Sequence, residues 1–360
     1  MSGHNEKRRL GKSESDTFEP VIHHTPDLPA IDFGAVGQQA PVLLDTPHDD
    51  LPQADAVVIT WASAEWVAMQ HVFCAGGSAM PYSDRDQSSW SGWQTYDRDM
   101  PKGAPSDWTY WGKTRLVKIG GQSVLLFKSN THLDWPGESY LEQLIERIAQ
   151  YVKPRLILSI GTAGGAETKD HVGTVRAVSA GTLDTGSGKW PVYSNKWPAD
   201  WKVIEKSAFK KLLFPIPTTQ SDLESLCKQV NQYYDYKPPY TLSQLNPGDL
   251  NMGSASPELV NATGGKTSLL TTSTFVVGTT AGTYGQYAVI EMDDAVIGKV
   301  CNEKHIPFGF VRNVSDPVQN ADLPSDVQGN WGSAIYDSYG LYTSYNGALA
   351  AWAVLAGQLG

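Results

Sequence analysis

The fold of this chain is decided by residues 288–316, which read AVIEMDDAVIGKVCNEKHIPFGFVRNVSD. The first five of these residues predict a short buried strand, residues 293–304 predict a helix, and residues 307–314, apolar at 308–311, predict a second buried strand. Unbroken apolar strands that alternate with helices are typical of a sheet that is buried on both faces. The stretch therefore predicts an α/β fold with helices on both sides of a mixed sheet.

The same alternation continues on both sides of this stretch. Further strands are predicted at residues 56–60, 114–119, 123–128, 156–160, 174–179 and 268–277, and further helices at 64–73, 138–152, 222–234 and 331–359, the last with possible breaks at Gly340 and Gly347. We assign these elements to one domain, residues 53–360, with loop-rich insertions at about 76–112 and 185–266. Residues 1–52 contain several proline turns, and we expect an N-terminal extension or arm there.

The composition favours a small-molecule ligand over a large anionic partner. The chain has 360 residues, with 28 Lys and Arg against 38 Asp and Glu, a formal charge of −10. Because nucleic acids and anionic membranes are bound through clustered basic residues, this charge argues against both. Three cysteines, Cys74, Cys227 and Cys301, are too few for a disulfide framework and too scattered for a zinc site. With no apolar run of signal-peptide or membrane length, we expect a cytoplasmic protein.

Polar residues follow three of the predicted strands, at the edge of the sheet where α/β proteins bind ligands. The glycines of residues 159–165 let backbone amides approach an anion or a hydroxyl, or else form only a tight strand exit. Glu291, Asp293 and Asp294 join a strand to a helix, where carboxylates could accept hydrogen bonds from sugar hydroxyls or cap the helix. Burial of Asp316 at the end of the last strand could raise its pKa for proton donation, although Ser-Asp-Pro is also a common turn.

Taken together and in this order, the segments resemble the nucleoside phosphorylase and nucleosidase superfamily, whose members cleave the N-glycosidic bond of nucleosides. The most specific part is a strand that ends in acid-Met-acid, followed by a helix and by a Pro-Phe strand that ends in Ser-Asp. The other stretches that carry the resemblance are residues 57–65, 153–165, 172–175 and 272–276. The resemblance implies a three-layer α/β fold with a mixed central sheet, large loop insertions and a site at the strand ends.

The resemblance also implies roles for residues at the base. Asp316 falls where the family's purine enzymes have the acid that protonates nitrogen 7 of the base, and Ser315 is its neighbour in that motif. Phe275 matches the aromatic residue that stacks on the base. Val276 matches the residue whose backbone contacts it. The resemblance thus assigns a catalytic role to Asp316 and places the other three residues in the substrate-binding set.

At the sugar, Met292 and Asp293 match a Met-Glu pair that packs under the ribose and accepts its hydrogen bonds. The family's glutamate is an aspartate here, one methylene shorter, which puts the sugar specificity in doubt. Thr162, Ala163 and Gly164 of the glycine-rich stretch complete the expected substrate-binding set.

Glu65 bears on whether the nucleophile is water or phosphate. It follows the first strand, where the resemblance implies a glutamate that orients and deprotonates water in the hydrolytic members. A carboxylate there would repel phosphate, and the Gly-Asp-Pro-x-x-Arg element of the phosphorylases is missing, so hydrolysis is favoured. Lys128 and His132, at the turn after a strand, could instead form an anion site for phosphate.

Three functions remain open at this point. They are hydrolytic cleavage of a purine nucleoside or nucleotide, phosphate-dependent phosphorolysis, and nucleoside binding without turnover. No metal and no cofactor are expected, and phosphate would be a co-substrate only of a phosphorylase. The resemblance implies a homo-oligomer, because family members assemble as dimers, trimers or hexamers.

Overall fold

The structure, a computed structural model, describes residues 18–21, 25–167, 170–246, 257–264, 267–282 and 284–358. Within these ranges, 13 strands form one sheet. In chain order they are β1 (Val42–Leu43), β2 (Ala56–Thr60), β3 (Gln94–Tyr96), β4 (Gly112–Ile119), β5 (Gln122–Ser129), β6 (Leu156–Gly164), β7 (Val175–Val178), β8 (Ala180–Asp184), β9 (Val192–Ser194), β10 (Leu259–Ala262), β11 (Leu269–Thr272), β12 (Ile290–Glu291) and β13 (Phe308–Asp316).

Helices pack on both sides of this sheet. They are α1 (Ser63–Cys74), α2 (Glu138–Arg147), α3 (Ser207–Lys210), α4 (Gln220–Tyr233), α5 (Leu242–Leu245), α6 (Asp294–Lys304) and α7 (Ser325–Gln358). A π-helical turn at Ile148–Val152 continues α2 to the end of the predicted helix. Among the described residues, no helix combines the length and the apolar character needed to cross a bilayer.

The sheet contains both parallel and antiparallel pairs, as predicted. Its main path runs in the order β1-β4-β5-β2-β6-β12-β11-β8-β9. Strand β2 is parallel to β5 and to β6, and β13 is parallel to β6, whereas β4 and β5 form an antiparallel hairpin. Because β2, β6 and β13 run in the same direction, their carboxyl ends meet at one edge of the sheet. The predicted α/β class with a mixed sheet is confirmed.

Strand β2 shows how the sheet separates two apolar cores. Ala56 and Val58 contribute to the core that α1 and α7 cover, while Val57 and Ile59 contribute to the core under α2 and α6. Successive side chains of a strand point to opposite faces. A strand with apolar layers on both faces therefore needs an unbroken apolar run, which is why residues 56–60 show no alternation.

Several predicted boundaries were wrong. Strand β6 continues through Gly164, so the glycine-rich stretch belongs to the strand and is not a loop after it. The reason is its partner, since β13 pairs with β6 along this whole length and holds the glycines extended. The strand predicted at 268–277 ends at Thr272, where its pairing with β8 and β12 stops.

Helix α7 runs without a break through Gly340 and Gly347, contrary to the predicted breaks. A glycine costs a helix about 1 kcal/mol relative to alanine, which tertiary packing can outweigh. At position 347 a Cβ atom would lie 2.5 Å from the side chain of Asn313. The glycine therefore lets the helix lie close to β13.

The N-terminal segment and the second insertion both contribute to the packing. The rings of Phe33 and Trp352 are 4.5 Å apart, which joins the N-terminal segment to α7. His71 Nε2 on α1 lies 2.9 Å from the carbonyl oxygen of Pro29. The described residues of the insertion at 185–266 form β9, β10 and three helices, more regular structure than the one helix predicted there.

Candidate active site

A cavity opens at the edge of the sheet where β2, β6 and β13 end. Its lining comes from the start of α1, the end of β6, the junction of β12 with α6, the end of β13, and α7: Trp61, Ala62, Glu65, Thr162, Ala163, Gly164, Phe275, Ile290, Glu291, Met292, Asp293, Arg312, Ser315, Asp316, Gly332 and Tyr336. A smaller hollow, here called the recess, shares six of these residues and adds others that include Val276, Thr279, Pro317 and Gln319.

The cavity and the recess bring together residues from distant parts of the chain. Those among the predicted site residues are Glu65, Thr162, Ala163, Gly164, Phe275, Val276, Met292, Asp293, Ser315 and Asp316. Lys128 and His132 are not among the described residues that line either space.

Asp316 is the last residue of β13 and faces both the cavity and the recess. It is 8% exposed, and Ser315 Oγ donates a hydrogen bond of 2.7 Å to its Oδ1. Burial raises the pKa of Asp316 to about 6. A carboxyl group with such a pKa is still partly protonated near neutral pH and can give its proton to a leaving group.

Glu65 lies in the first turn of α1, and both of its carboxylate oxygens accept several hydrogen bonds. Oε2 accepts hydrogen bonds from Thr60 Oγ1 at 2.7 Å, Trp61 N at 2.9 Å and Ala62 N at 2.8 Å. Oε1 accepts two more, of 2.7 Å each, from the backbone N and the Oγ1 of Thr162. Glu65 therefore joins the end of β2 to the end of β6.

These contacts determine the charge of Glu65. Burial works against ionisation, but Arg312 and the hydrogen bonds lower the pKa of Glu65 to about 2. A carboxylate with so low a pKa is a poor proton acceptor and a lasting negative charge on the cavity wall. The geometry thus favours an electrostatic role for Glu65 over the removal of a proton from water.

The low pKa of Glu65 predicts a pH-dependent contribution to stability. Since the ionised form is favoured in the fold, this contribution is full above pH 4.5 and is lost as the pH falls toward 2. We expect Glu65→Gln to lower the free energy of unfolding by about 3 kcal/mol at pH 7 and by about 2 kcal/mol less at pH 3. Urea unfolding at both pH values measures the two differences. The same change at the exposed Glu303 is the control, and a pH-independent cost at Glu65 would contradict the prediction.

Arg312 was missed by the sequence analysis, yet it organises the acidic residues of the site. Its Nε donates a 2.7 Å hydrogen bond to Asp294 Oδ2, and its Nη2 donates to Asp294 Oδ1 and, at 2.8 Å, to Ser159 Oγ. Nη2 also lies 3.4 Å from Glu291 Oε2. The sequence signal that could have identified Arg312 is its position inside a buried apolar strand, because a buried arginine must have charged partners.

Glu291 caps the helix that follows it. Its Oε2 accepts the backbone N–H of Asp293 at 2.7 Å and that of Asp294 at 3.1 Å. Asp293 makes no side-chain capping bond at the start of α6, and Asp294 is paired with Arg312. The capping role considered for the two aspartates therefore belongs to Glu291. Burial and the neighbouring Asp294 raise the pKa of Glu291 to about 8.

Asp293 is held from the loop after β5. Its Oδ1 accepts the backbone N–H of Leu133 at 2.9 Å, and its Oδ2 lies 3.5 Å from His132 Nδ1.

Lys128, like His132, is buried, and its Nζ donates to the carbonyl oxygen of Ser129 at 3.0 Å. The basic residues considered for an anion site thus have partners inside the protein.

The cavity wall carries more negative than positive charge. Glu65 and Asp293 line it as carboxylates, and Arg312 is the only basic residue among the described lining residues. Glu291 and Asp316 also line it, but their raised pKa values, about 8 and about 6, leave Glu291 mostly protonated and Asp316 partly protonated at neutral pH. Such a wall repels an anion and attracts a cation or a developing positive charge. Within the described ranges, no cluster of three or more His, Cys, Asp or Glu is arranged to hold a metal ion.

No family model and no curated protein match this sequence. Solved structures do match, and they include nucleosidases and a futalosine hydrolase. One is a 5′-methylthioadenosine/S-adenosylhomocysteine nucleosidase from Neisseria meningitidis, 11% identical, with 84% of this chain and 99% of that chain covered and a TM-score of 0.45. Another is futalosine hydrolase of Helicobacter pylori, 11% identical, with 84% and 97% covered and a TM-score of 0.45. Likenesses at this TM-score assign neither activity nor substrate to this chain.

Proposed function

We propose that this chain cleaves the N-glycosidic bond of a purine nucleoside or nucleotide by hydrolysis. The observation that carries the proposal is the position of Asp316, a buried acid with a pKa of about 6, on the wall of a cavity that Glu65 and Asp293 also line. Cleavage of this bond is promoted by a proton donated to the leaving base and by negative charge near the sugar, where positive charge develops. The cavity offers both.

On the base side, negative charge builds on the purine as the bond breaks. In the proposed mechanism Asp316 donates its proton to nitrogen 7, so that the base leaves as a neutral molecule. Phe275 lines the cavity and the recess together with Asp316 and is the residue proposed to stack on the base. Ser315 keeps the carboxyl group oriented through its 2.7 Å hydrogen bond.

On the sugar side, positive charge builds on the ribosyl ring. Glu65 and Asp293 line the same cavity, and the low pKa of Glu65 keeps it ionised throughout the neutral range. A fixed negative charge stabilises an oxocarbenium-like transition state without any reorganisation during the reaction. We propose this electrostatic role for both carboxylates.

The charge of the cavity favours water over phosphate as the nucleophile. A phosphate ion would meet the carboxylates of Glu65 and Asp293, while the guanidinium of Arg312 is already bonded to Asp294 and Ser159. Water carries no charge and meets no such repulsion. Hydrolysis is therefore the reaction that this geometry supports best.

The test is the release of free base, detected by liquid chromatography, from a panel of purine nucleosides and nucleotides. Parallel reactions run in phosphate-free buffer and in buffer with millimolar phosphate. Equal release in both buffers is expected for a hydrolase. Release only with phosphate would show a phosphorylase instead, and binding by calorimetry without any release would show a binding module.

The proposed proton donor also predicts the pH dependence of the reaction. Asp316 must be protonated in the free enzyme, so kcat/KM should fall about tenfold per pH unit above its pKa of about 6. A nitrophenyl riboside serves as the control substrate, since its leaving group needs no proton and its profile should lack this decline. A nucleoside profile that stays flat between pH 6 and 8 would exclude Asp316 as the acid.

A further inference from the structure

Gln319 is a polar residue that lines the recess, and the proposed mechanism assigns it no role. It lies three residues after Asp316 in the chain and is 2% exposed. Among the described residues, its Oε1 atom has no hydrogen-bond partner. Burying a carbonyl oxygen without a donor is unfavourable, so such an atom in a ligand cavity suggests that the ligand supplies the donor.

The surroundings of Gln319 hold its amide group in one orientation. Its Nε2 donates a 3.1 Å hydrogen bond to the carbonyl oxygen of Pro317, which can only accept. Its backbone N donates to Thr279 Oγ1 at 2.7 Å, and its backbone oxygen accepts from Thr280 N at 3.1 Å. Exchange of the amide oxygen and nitrogen would place two acceptors against each other at Pro317. Gln319 therefore presents an acceptor, and not a donor, to a ligand.

The amide group of Gln319 lies next to Gly332 of α7. A Cβ atom at Gly332 would lie 2.6 Å from Gln319 Nε2 and 3.4 Å from Phe275 Cζ. The amide and the aromatic ring that we propose for base stacking thus both border Gly332. Asp316, Phe275 and Gln319 all line the recess.

We infer that Gln319 selects the base, and that it favours a 6-aminopurine over a 6-oxopurine. The inference rests on the proposed function, in which Asp316 donates to nitrogen 7. Nitrogen 7 and the substituent at carbon 6 lie side by side on one edge of a purine, where adenine presents an amino donor and hypoxanthine and guanine present an oxygen acceptor. The Gln319 acceptor beside the Asp316 donor therefore matches the amino group of adenine. With a 6-oxopurine, the amide oxygen of Gln319 would face the oxygen at carbon 6, and no proton would lie between the two acceptors.

The first experiment uses the unaltered protein. It compares kcat/KM for adenosine, inosine and purine riboside, which share the ribose and differ at carbon 6. We expect adenosine to exceed purine riboside and inosine by about tenfold to a hundredfold, the discrimination expected for one matched hydrogen-bond pair. Equal values, or a preference for inosine, would overturn the inference.

The second experiment assigns the discrimination to Gln319. In Gln319→Met, which keeps the length of the side chain and removes its acceptor, the adenosine to inosine ratio should fall by the same factor. The rate with purine riboside, which offers no 6-amino donor, should fall by a smaller factor than the rate with adenosine. Gln70→Met is the matched control, because it removes a part-buried amide whose Oε1 accepts a 2.9 Å bond from Trp93 Nε1. An unchanged ratio in Gln319→Met would overturn the inference.

Failure of this inference is distinguishable from failure of the proposed function. If no purine nucleoside releases its base, the hydrolytic function is wrong. The affinities of the protein and of Gln319→Met for adenosine and inosine, measured by calorimetry, then decide the role of Gln319 on their own. Tighter binding of adenosine that disappears in the variant supports the inference, and equal binding of the two nucleosides overturns it.

Discussion

Replacement of Asp316 by asparagine is expected to lower kcat/KM for purine nucleosides by about 10²- to 10⁴-fold, the range typical of a lost general acid. The asparagine side chain has nearly the same size and can still accept the 2.7 Å hydrogen bond from Ser315 Oγ, but it has no proton for nitrogen 7. The affinity for the nucleoside should change much less than the rate. Single-turnover base release and calorimetric binding measure the two quantities separately.

Two further measurements sharpen the result for Asp316→Asn. The remaining activity should lose the decline above pH 6, because the group responsible for it is gone. Asp322→Asn, an exposed aspartate six residues further along the chain, is the control and should keep full activity. A variant Asp316→Asn with more than a tenth of the original kcat/KM would refute proton donation by this residue.

Replacement of Arg312 by methionine is expected to destabilise the protein by about 3–5 kcal/mol, since it leaves buried carboxylates without their cation. Arg312 is 3% exposed, donates two hydrogen bonds to Asp294 and lies 3.4 Å from Glu291. The loss exceeds that of an exposed ion pair because water cannot screen or replace the missing charge. Urea unfolding of the purified variant measures this change in free energy.

A double-mutant cycle separates the ion pair from the general cost of a core substitution. The variant with both Arg312→Met and Asp294→Leu removes the two charges together and should cost less than the sum of the single changes. Breaking the exposed pair between Lys237 and Asp235 by Lys237→Met should cost less than about 1 kcal/mol. Additive costs at positions 312 and 294 would show that the pair contributes no coupling energy.

The strands that form the site were predictable from local sequence. Strands β2, β6 and β13 each begin with an unbroken apolar run, at residues 56–59, 156–158 and 308–311, and only a strand buried on both faces tolerates such a run. The carboxyl ends of parallel strands meet at one edge, so polar residues that follow these runs had to meet there as well. For that reason Asp316 and Glu65 could be predicted to lie at one edge of the sheet, whereas Asp293 follows β12, which runs antiparallel to β6.

The partners of the charged residues were not predictable in the same way. Arg312 Nη2 and Ser159 Oγ are 153 positions apart in the chain, and Thr162 and Glu65 are 97 apart. No local pattern specifies such pairs, because they depend on which strands become neighbours. The same holds for Lys128, near the end of β5, and for His132, in the loop after it, which were considered for a phosphate site and have contacts inside the protein.

The sequence by itself determined the fold class and the set of acidic residues at the strand ends, because apolar periodicity and the order of elements are local properties. Only the tertiary structure decided what each acidic residue can do. Burial raises the pKa of Asp316 to about 6, while Arg312 and five hydrogen bonds lower that of Glu65 to about 2 although burial opposes this. The charge of a carboxyl group depends on its solvation and on nearby charges, and these exist only once distant segments have come together.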